Sequence, residues 1–217
     1  MCSTHVTPRP PESSFSLPNN STWKEHLAPN YGIQLIEVVE DIPDQLKGDN
    51  VLWSSRCSRT KTGLDQALPK DFYVSAINLK FYEMMHRNNL RYGILSDKYG
   101  IHMDDEFLDY YDIHPSELTG ERKRELGLMI GEKVRNYGYE ELIFYNTSPL
   151  QSRPYFEMLW WSELKVHFIS LISLVEEKYK LGSGTVKKTF MFPLFNIHGA
   201  TTGRIKGGEQ SARPRSE

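Results

Sequence analysis

Cys57-Ser58-Arg59-Thr60-Lys61 gathers a thiol, two hydroxyls and two cations within one short run. Thiolate is the nucleophilic form of cysteine and neighbouring cations lower a thiol's pKa, so this run allows covalent chemistry at Cys57, with a pocket wall as its alternative role, and offers Lys61 to bind or activate a substrate. Ser55 and Arg56 before it and Gly63 after it extend a polar, cationic loop that can cradle an anionic ligand through main-chain N–H groups and point charges. The GxxxxGK[ST] pattern of a P-loop does not occur, and a solvated basic turn is the competing reading. Ser96-Asp97-Lys98-Tyr99-Gly100 forms a second candidate cluster, in which Gly100 closes a turn with positive φ. Lys98 beside a second cation or an apolar wall becomes a usable base or nucleophile, and Asp112 supplies the opposite charge that orients it or takes a proton. Asn146-Thr147-Ser148-Pro149 offers either a ligand contact or a helix cap.

Other chemistry is weaker. His102 and His114 share one long loop and could carry protons, with packing as the alternative. Trp160-Trp161 predicts core, or an interface between copies of the chain, ahead of a base-stacking platform. No HExxH, CxxC or paired Cys/His ladder is present, so a metal site is not expected, and no motif names a cofactor.

These residues must be held by something, and the hydropathy pattern says what. Ile33–Val39, Asn50–Ser55, Leu90–Ser96, Glu141–Asn146 and Val186–Phe192 read as strands. A helix is expected from Ser75 to Asn88, with Ile77, Phe81, Met84 and Met85 on its apolar face, and Thr119 or Ser116 caps another that carries Leu126, Met129, Ile130 and Val134 and stops at Gly138. Residues 152–180 read as helical, with Leu164, Phe168, Leu171, Val175 and Tyr179 as the apolar stripe. Alternating strands and helices build βαβ units. The expected fold is α/β: three layers, a mostly parallel sheet of about five strands with helices on both faces. In such sheets ligands bind beyond the carboxyl ends of strands, where the candidate residues fall.

Composition bounds the rest. Of 217 residues, 39% are hydrophobic and 25% charged, which excludes full-length disorder, collagen-like repeats and disulfide scaffolds. Lys+Arg 26 against Asp+Glu 28 argues against bulk electrostatic coating of nucleic acid while permitting a local basic patch. Residues 1–22 and 207–217 are expected to be disordered tails around a single domain at 23–206. The two cysteines, Cys2 and Cys57, predict free thiols in a reducing compartment. With no signal-peptide pattern and no bilayer-length apolar run, the expected location is the cytoplasm, away from membranes.

Taken together, C-S-R-T-K at 57–61, D-F-Y-V-S at 71–75, I-L-S-D-K-Y-G at 94–100 and Y-D at 111–112 resemble a widespread, mostly uncharacterised family with the pattern C-S-x-x-K, L-Y-x-S-x-L-F, I-L-S-A-K-Y-G-L and P-Y-D. That family is distantly similar to the core domain of archaeosine synthase and to the peroxide-stress protein YaaA. The resemblance spans about residues 50–205 and includes Pro193-Leu194 and Gly203-Arg204-Ile205. It implies a nucleotide-modifying enzyme, of transferase or lyase type, acting on a modified purine, a nucleoside or a nucleic-acid base. Carried over position by position, it implies Cys57, Lys61, Lys98 and Asp112 as catalytic residues, with Tyr73, Ser75, Ser96, Tyr99 and Gly100 around the substrate. Ser55, Ser58, Arg59 and Asn146 join the substrate-binding set from the loops. Phe72, Asp97 and Tyr110 depart from the family's Leu, Ala and Pro. The rival readings are a non-catalytic nucleic-acid-binding or stress-response protein and a homo-oligomeric adaptor that uses the Trp160-Trp161 helix.

Overall fold

The computed structural model describes residues 23–42 and 50–182, all within one compact unit, Met1–Gly184. The expected strand at Val186–Phe192, both tails, Cys2 and the 193–205 matches lie outside the described residues.

Six strands form the main sheet: β1 (Gln34–Ile36), β2 (Val51–Arg56), β4 (Tyr92–Ser96), β5 (Gly100–Met103), β7 (Glu141–Tyr145) and β8 (Lys165–Ile169). Their spatial order is β1-β8-β7-β2-β4-β5, parallel throughout except that β5 returns antiparallel to β4. A small ladder of β3 (Gln66–Ala67) with β6 (Leu108–Asp109) stands apart. The helices are α1 (Trp23–Tyr31), the short α2 (Pro69–Phe72), α3 (Ala76–Arg87), α4 (Gly120–Asn136), α5 (Pro149–Trp161) and α6 (Ile172–Gly182).

Strand alternation decides the layers. Phe144 and Tyr145 are consecutive in β7 and so point to opposite faces. Tyr145 stacks on Phe81 of α3 at 6.1 Å, while Phe144 meets Phe156 of α5 at 6.0 Å. Helices α3 and α5 therefore cover opposite faces, giving three layers. On the α5 side α1 packs through Tyr31 against Phe156, and α4 lies along α5.

Local sequence accounts for the element starts. Ser75 accepts a hydrogen bond from the Asn78 N–H at the head of α3, Thr119 from Arg122 at the head of α4, and Ser148 from Gln151 at the head of α5, where Pro149 suits the first turn. Gly138, at φ 88°, ends α4.

Three expectations need correction. Residues 152–180 are not one helix: α5 ends at Trp161, β8 follows, and α6 begins at Ile172. Phe168, assigned to the helical stripe, sits in β8, with the left-handed Glu163 (φ 56°) turning the chain just before it. Met129 is 44% exposed, because the buried stripe of α4 runs through Gly127 and Gly131 instead. The expected loop after β4 contains β5, a hairpin whose tight turn pairs Ser96 with Gly100.

Those two glycines set how closely α4 approaches α5. A Cβ at Gly127 would lie 2.2 Å from the Met158 carbonyl oxygen, and one at Gly131 would lie 2.1 Å from that of Ser162. Gly131→Ala is therefore expected to destabilise the fold by roughly 1–3 kcal/mol despite alanine's better helix propensity. Urea unfolding should show a lower midpoint with an unchanged m-value, whereas Gly120→Ala, with nothing within 4 Å of its Cβ, should leave the midpoint near wild type.

Candidate active site

The connections leaving β2 and β7 run in opposite directions across the sheet, β2 to β4 on one side and β7 to β8 on the other. Adjacent strands whose connections diverge open a crevice at their carboxyl ends. A cavity of about 340 Å3 lies there, walled by residues that follow β2 (Arg56, Cys57, Ser58, Arg59, Lys61), by Asp97 after β4, by the 112–117 loop and by Tyr155 of α5.

The backbone explains how these side chains arrive. The Cys57 N–H donates to the Leu95 carbonyl at 2.8 Å, so the β2–β4 ladder continues one residue past the strand and holds Cys57 rigidly. Thr62 N–H to Phe72 O and Val74 N–H to Thr60 O pair the returning loop with the segment before α3, which sets Lys61 opposite Tyr73. Ser58 Oγ donates to the Thr60 carbonyl at 2.7 Å and tightens the loop between them.

At the floor, the Cys57 thiol donates to Asp97 Oδ2 at 3.0 Å, and Tyr155 Oη stands 3.3 Å from the sulfur and 3.4 Å from the same carboxylate oxygen. Cys57 and Asp97 are both buried, and Asp97 Oδ1 has no hydrogen-bond partner among the described residues. Burial first, and then the Asp97 charge, push the Cys57 thiol up to about 12. Burial also raises the Asp97 carboxyl, against the lowering effect of Cys57, Tyr155, Lys61 and His114. This corrects the expectation of a cation-activated thiolate. Sequence neighbours supply the cations, but the nearest charge in space is negative, so Cys57 rests as a neutral thiol with a carboxylate poised to receive its proton.

A chain of hydroxyls backs this floor. Ser96 Oγ donates to Tyr111 Oη at 2.9 Å, and Tyr111 Oη and Tyr73 Oη are 3.0 Å apart. Lys61 extends over the Tyr111 ring with Nζ 4.7 Å from its centroid, and its side chain is only 5% exposed. Its ion-pair partner is Asp112 at 4.0 Å, whose carboxylate sits in the open cavity mouth. On the adjoining wall Arg56 is tied to Asn146 Oδ1 (3.3 Å) and Gln151 Oε1 (2.9 Å), and Asn146 in turn donates to Ser152 Oγ.

Of the residues singled out from the sequence, the cavity brings together Cys57, Ser58, Arg59, Lys61 and Asp112. Tyr73 and Ser96 support it from behind through Tyr111, and Asn146 supports it through Arg56. Lys98 does not join them. The tight turn after β4 directs Asp97 into the cavity and its neighbour elsewhere, so the Lys98 ammonium rests 4.8 Å over the Tyr99 ring, and Asp112 pairs with Lys61 instead. Tyr99 Oη donates to the Asp109 carbonyl, and Gly100, at φ 72°, packs against the Leu126 carbonyl of α4. Ser75 is a helix cap, and Ser55 is buried with its hydroxyl unpaired among the described residues. His114 lines the cavity, whereas His102 is buried against the Phe72 and Tyr73 rings. Trp160 packs on Gly32, and Trp161 lies beneath Arg124.

Sequence reasoning passed over Asp97 and Tyr155. Asp97 stood inside a recognised motif but counted only as a departure from the family's Ala, and Tyr155 lies in a helix with no motif at all. Among the described residues no group of three or more His, Cys, Asp or Glu side chains is placed to hold a metal ion, and no helix is long and apolar enough to cross a membrane. The fold and site thus define an α/β protein with a thiol–carboxylate pair at a topological switch point. Comparison of the chain with protein-family models, curated proteins and solved structures finds no match.

The buried carboxyl makes a linked pair of predictions. Asp97 has a folded pKa above its unfolded value, so its contribution favours folding below about pH 4 and is lost as pH rises through the folded pKa. Asp97→Asn removes the buried charge and should therefore unfold a few degrees higher than wild type at neutral pH, with the gap closing toward about pH 4. Without the like charge, Cys57 should also be alkylated by iodoacetamide faster than in wild type near pH 8. Slower alkylation in the Asn variant would show instead that the carboxylate's part as proton acceptor outweighs its like-charge effect on the thiol.

Proposed function

We propose that the chain is an enzyme that modifies a nucleobase, free, in a nucleoside or within a nucleic acid, by attack of Cys57 on an electron-poor carbon of the ring or its substituent. The observation that carries this reading is the Cys57–Asp97 pair on the wall of a cavity that also contains the buried Lys61 ammonium. A nucleophile within hydrogen-bond reach of its base is the signature of covalent catalysis. As the S–C bond forms, the π bond of the attacked carbon opens, its electron pair moves to the adjoining nitrogen or oxygen, and the thiol proton passes to Asp97, so no thiolate need accumulate beside a carboxylate. Lys61 and Arg59 then serve the substrate's anionic portion or the charge that develops on it. The order of the C-S-x-x-K and I-L-S-x-K-Y-G motifs supports a base as the substrate, and the cavity is of a size that holds a small organic ligand.

A surface nucleic-acid binder gains less support from the same geometry. Of the cations that would contact phosphates, Arg56, Arg59, Lys61 and Lys98, Lys61 is buried, Arg56 is engaged by Asn146 and Gln151, and Lys98 lies on the Tyr99 ring.

The test is turnover on a panel of nucleosides, nucleotides and tRNA, followed as a mass change of the base. Cys57→Ala and Lys61→Ala, each checked for folding by circular dichroism, should lower turnover by about a hundredfold or more. Retention of activity by both variants would remove the proposal. Steeply salt-dependent binding of RNA with no change in the base would favour the non-catalytic reading instead.

A further inference from the structure

Asp97 leaves one polar atom unaccounted for. Its side chain is buried and lines the thiol cavity, and its Oδ2 meets the Cys57 thiol and the Tyr155 hydroxyl. Its Oδ1 is also buried and has no hydrogen-bond partner among the described residues. A carboxylate oxygen in that position is costly, because nothing replaces the water it gave up. Retention of such an atom in the wall of a cavity points to a donor that arrives from outside the chain.

The donors around it are committed elsewhere. An aspartate in a tight turn ordinarily takes main-chain N–H groups a short way along its own chain. Here the N–H groups of Lys98 and Tyr99 both donate to Ser96 Oγ instead. Lys61 lies over the Tyr111 ring and pairs with Asp112, and Arg56 is held by Asn146 and Gln151. The pattern that the sequence resembles has Ala where this chain has Asp97, so the turn itself does not call for a carboxylate. The geometry of the pair then limits the ligand. Oδ2 is 3.0 Å from the Cys57 sulfur, so a group that donates to the neighbouring Oδ1 lies beside the carbon that the sulfur attacks. An N–H on a nitrogen bonded to that carbon meets this requirement. A carbon of a C=C double bond, such as C6 of a pyrimidine nucleoside, has no N–H beside it.

Building on the covalent chemistry assigned to Cys57, on which this step rests, we propose that Asp97 Oδ1 accepts a hydrogen bond from the substrate, and that the substrate is a base attacked at an amidine-type carbon, one that bears an amino group as in adenine, cytosine or guanine. As the S–C bond forms, the C=N π pair moves to the ring nitrogen and the thiol proton passes to Oδ2. The N–H stays on its own nitrogen and on Oδ1 throughout. Asp97 thus selects the base as well as taking the proton.

Two measurements on the full chain test it. The first is the ratio of Cys57 alkylation rates by iodoacetamide, which carries N–H beside its reacting end, and methyl iodoacetate, which does not, each mapped to Cys57 by mass spectrometry and referred to N-acetylcysteine. The ratio cancels the thiol's own pKa, because both reagents draw on the same sulfur. Wild type should favour the amide about tenfold over the reference, and Asp97→Ala should return to the reference. Asp97→Asn, whose neutral amide accepts more weakly, should fall between them and serves as the second variant. The second measurement is calorimetric binding of adenosine against purine riboside and of cytidine against pyrimidin-2-one riboside. At least one amino-bearing member should bind wild type about tenfold more tightly than its analogue, and Asp97→Ala should lose the difference. An absent amide preference, its survival in Asp97→Ala, or nucleoside binding that ignores the amino group would overturn the proposal. Turnover that survives Cys57→Ala, or no binding of any nucleoside, would instead remove the nucleobase reading, while the amide preference would still report whether Asp97 meets a ligand N–H.

Discussion

Ionised carboxylates are rarely placed out of contact with water, because nothing in an apolar interior replaces the lost solvation unless hydrogen-bond donors are brought to meet them. Asp97 is 1% exposed and, among the described residues, receives two donors, the Cys57 thiol and the Tyr155 hydroxyl, both on one oxygen. Much of the surrounding structure can be understood as support for that arrangement. The extended β2–β4 ladder fixes Cys57, the hairpin turn fixes Asp97, and α5, pressed onto the sheet by α4, fixes Tyr155. If any of the three shifted by an ångström, a thiol with a raised pKa would lose its proton acceptor, and the carboxylate would be left without compensation.

The same constraint gives the close contact between α4 and α5 a role beyond packing. Gly127 and Gly131 let α4 lie against the carbonyls of Met158 and Ser162, in the half of α5 that follows Tyr155. Phe144 and Phe156 fill the space between that helix and the sheet. Tyr155 is thus held from the outside by backbone contact and from the inside by ring packing. A hydroxyl delivered by a helix with this little freedom can stay near 3.3 Å from a sulfur without an additional tether.

Patterns carried by local chemistry were readable from the sequence. The Thr119 cap, the stop at Gly138, the positive-φ turn at Gly100 and the apolar runs of β2, β4 and β7 depend on nearest neighbours and fall where their residues say. The α/β class followed from their alternation. What depended on tertiary pairing was not readable: Lys165–Ile169 is a strand because β7 and β1 flank it on both sides, although Phe168 also fits a helical period. The site divides in the same way. Cys57 and Lys61 declared themselves by residue type and spacing. The sign of the shift on Cys57 did not, because it is set first by burial and then by a carboxylate distant in sequence and brought close only by the register of β4 beside β2.

Strand β7 shows how one short segment can serve two cavities. Tyr145 faces α3 and lines a cavity of about 300 Å3 between α3 and α6, while the next residue, Asn146, binds the arginine that walls the thiol cavity. Alternation of side chains allows this division, and the register Leu142↔Leu52 and Phe144↔Ser54 with β2 enforces it. A slip of one residue would put Tyr145 on the α5 face and break the packing of β7 against Phe81 and Phe156. The two cavities have no lining residue in common, and the buried rings on either side of β7 keep them apart.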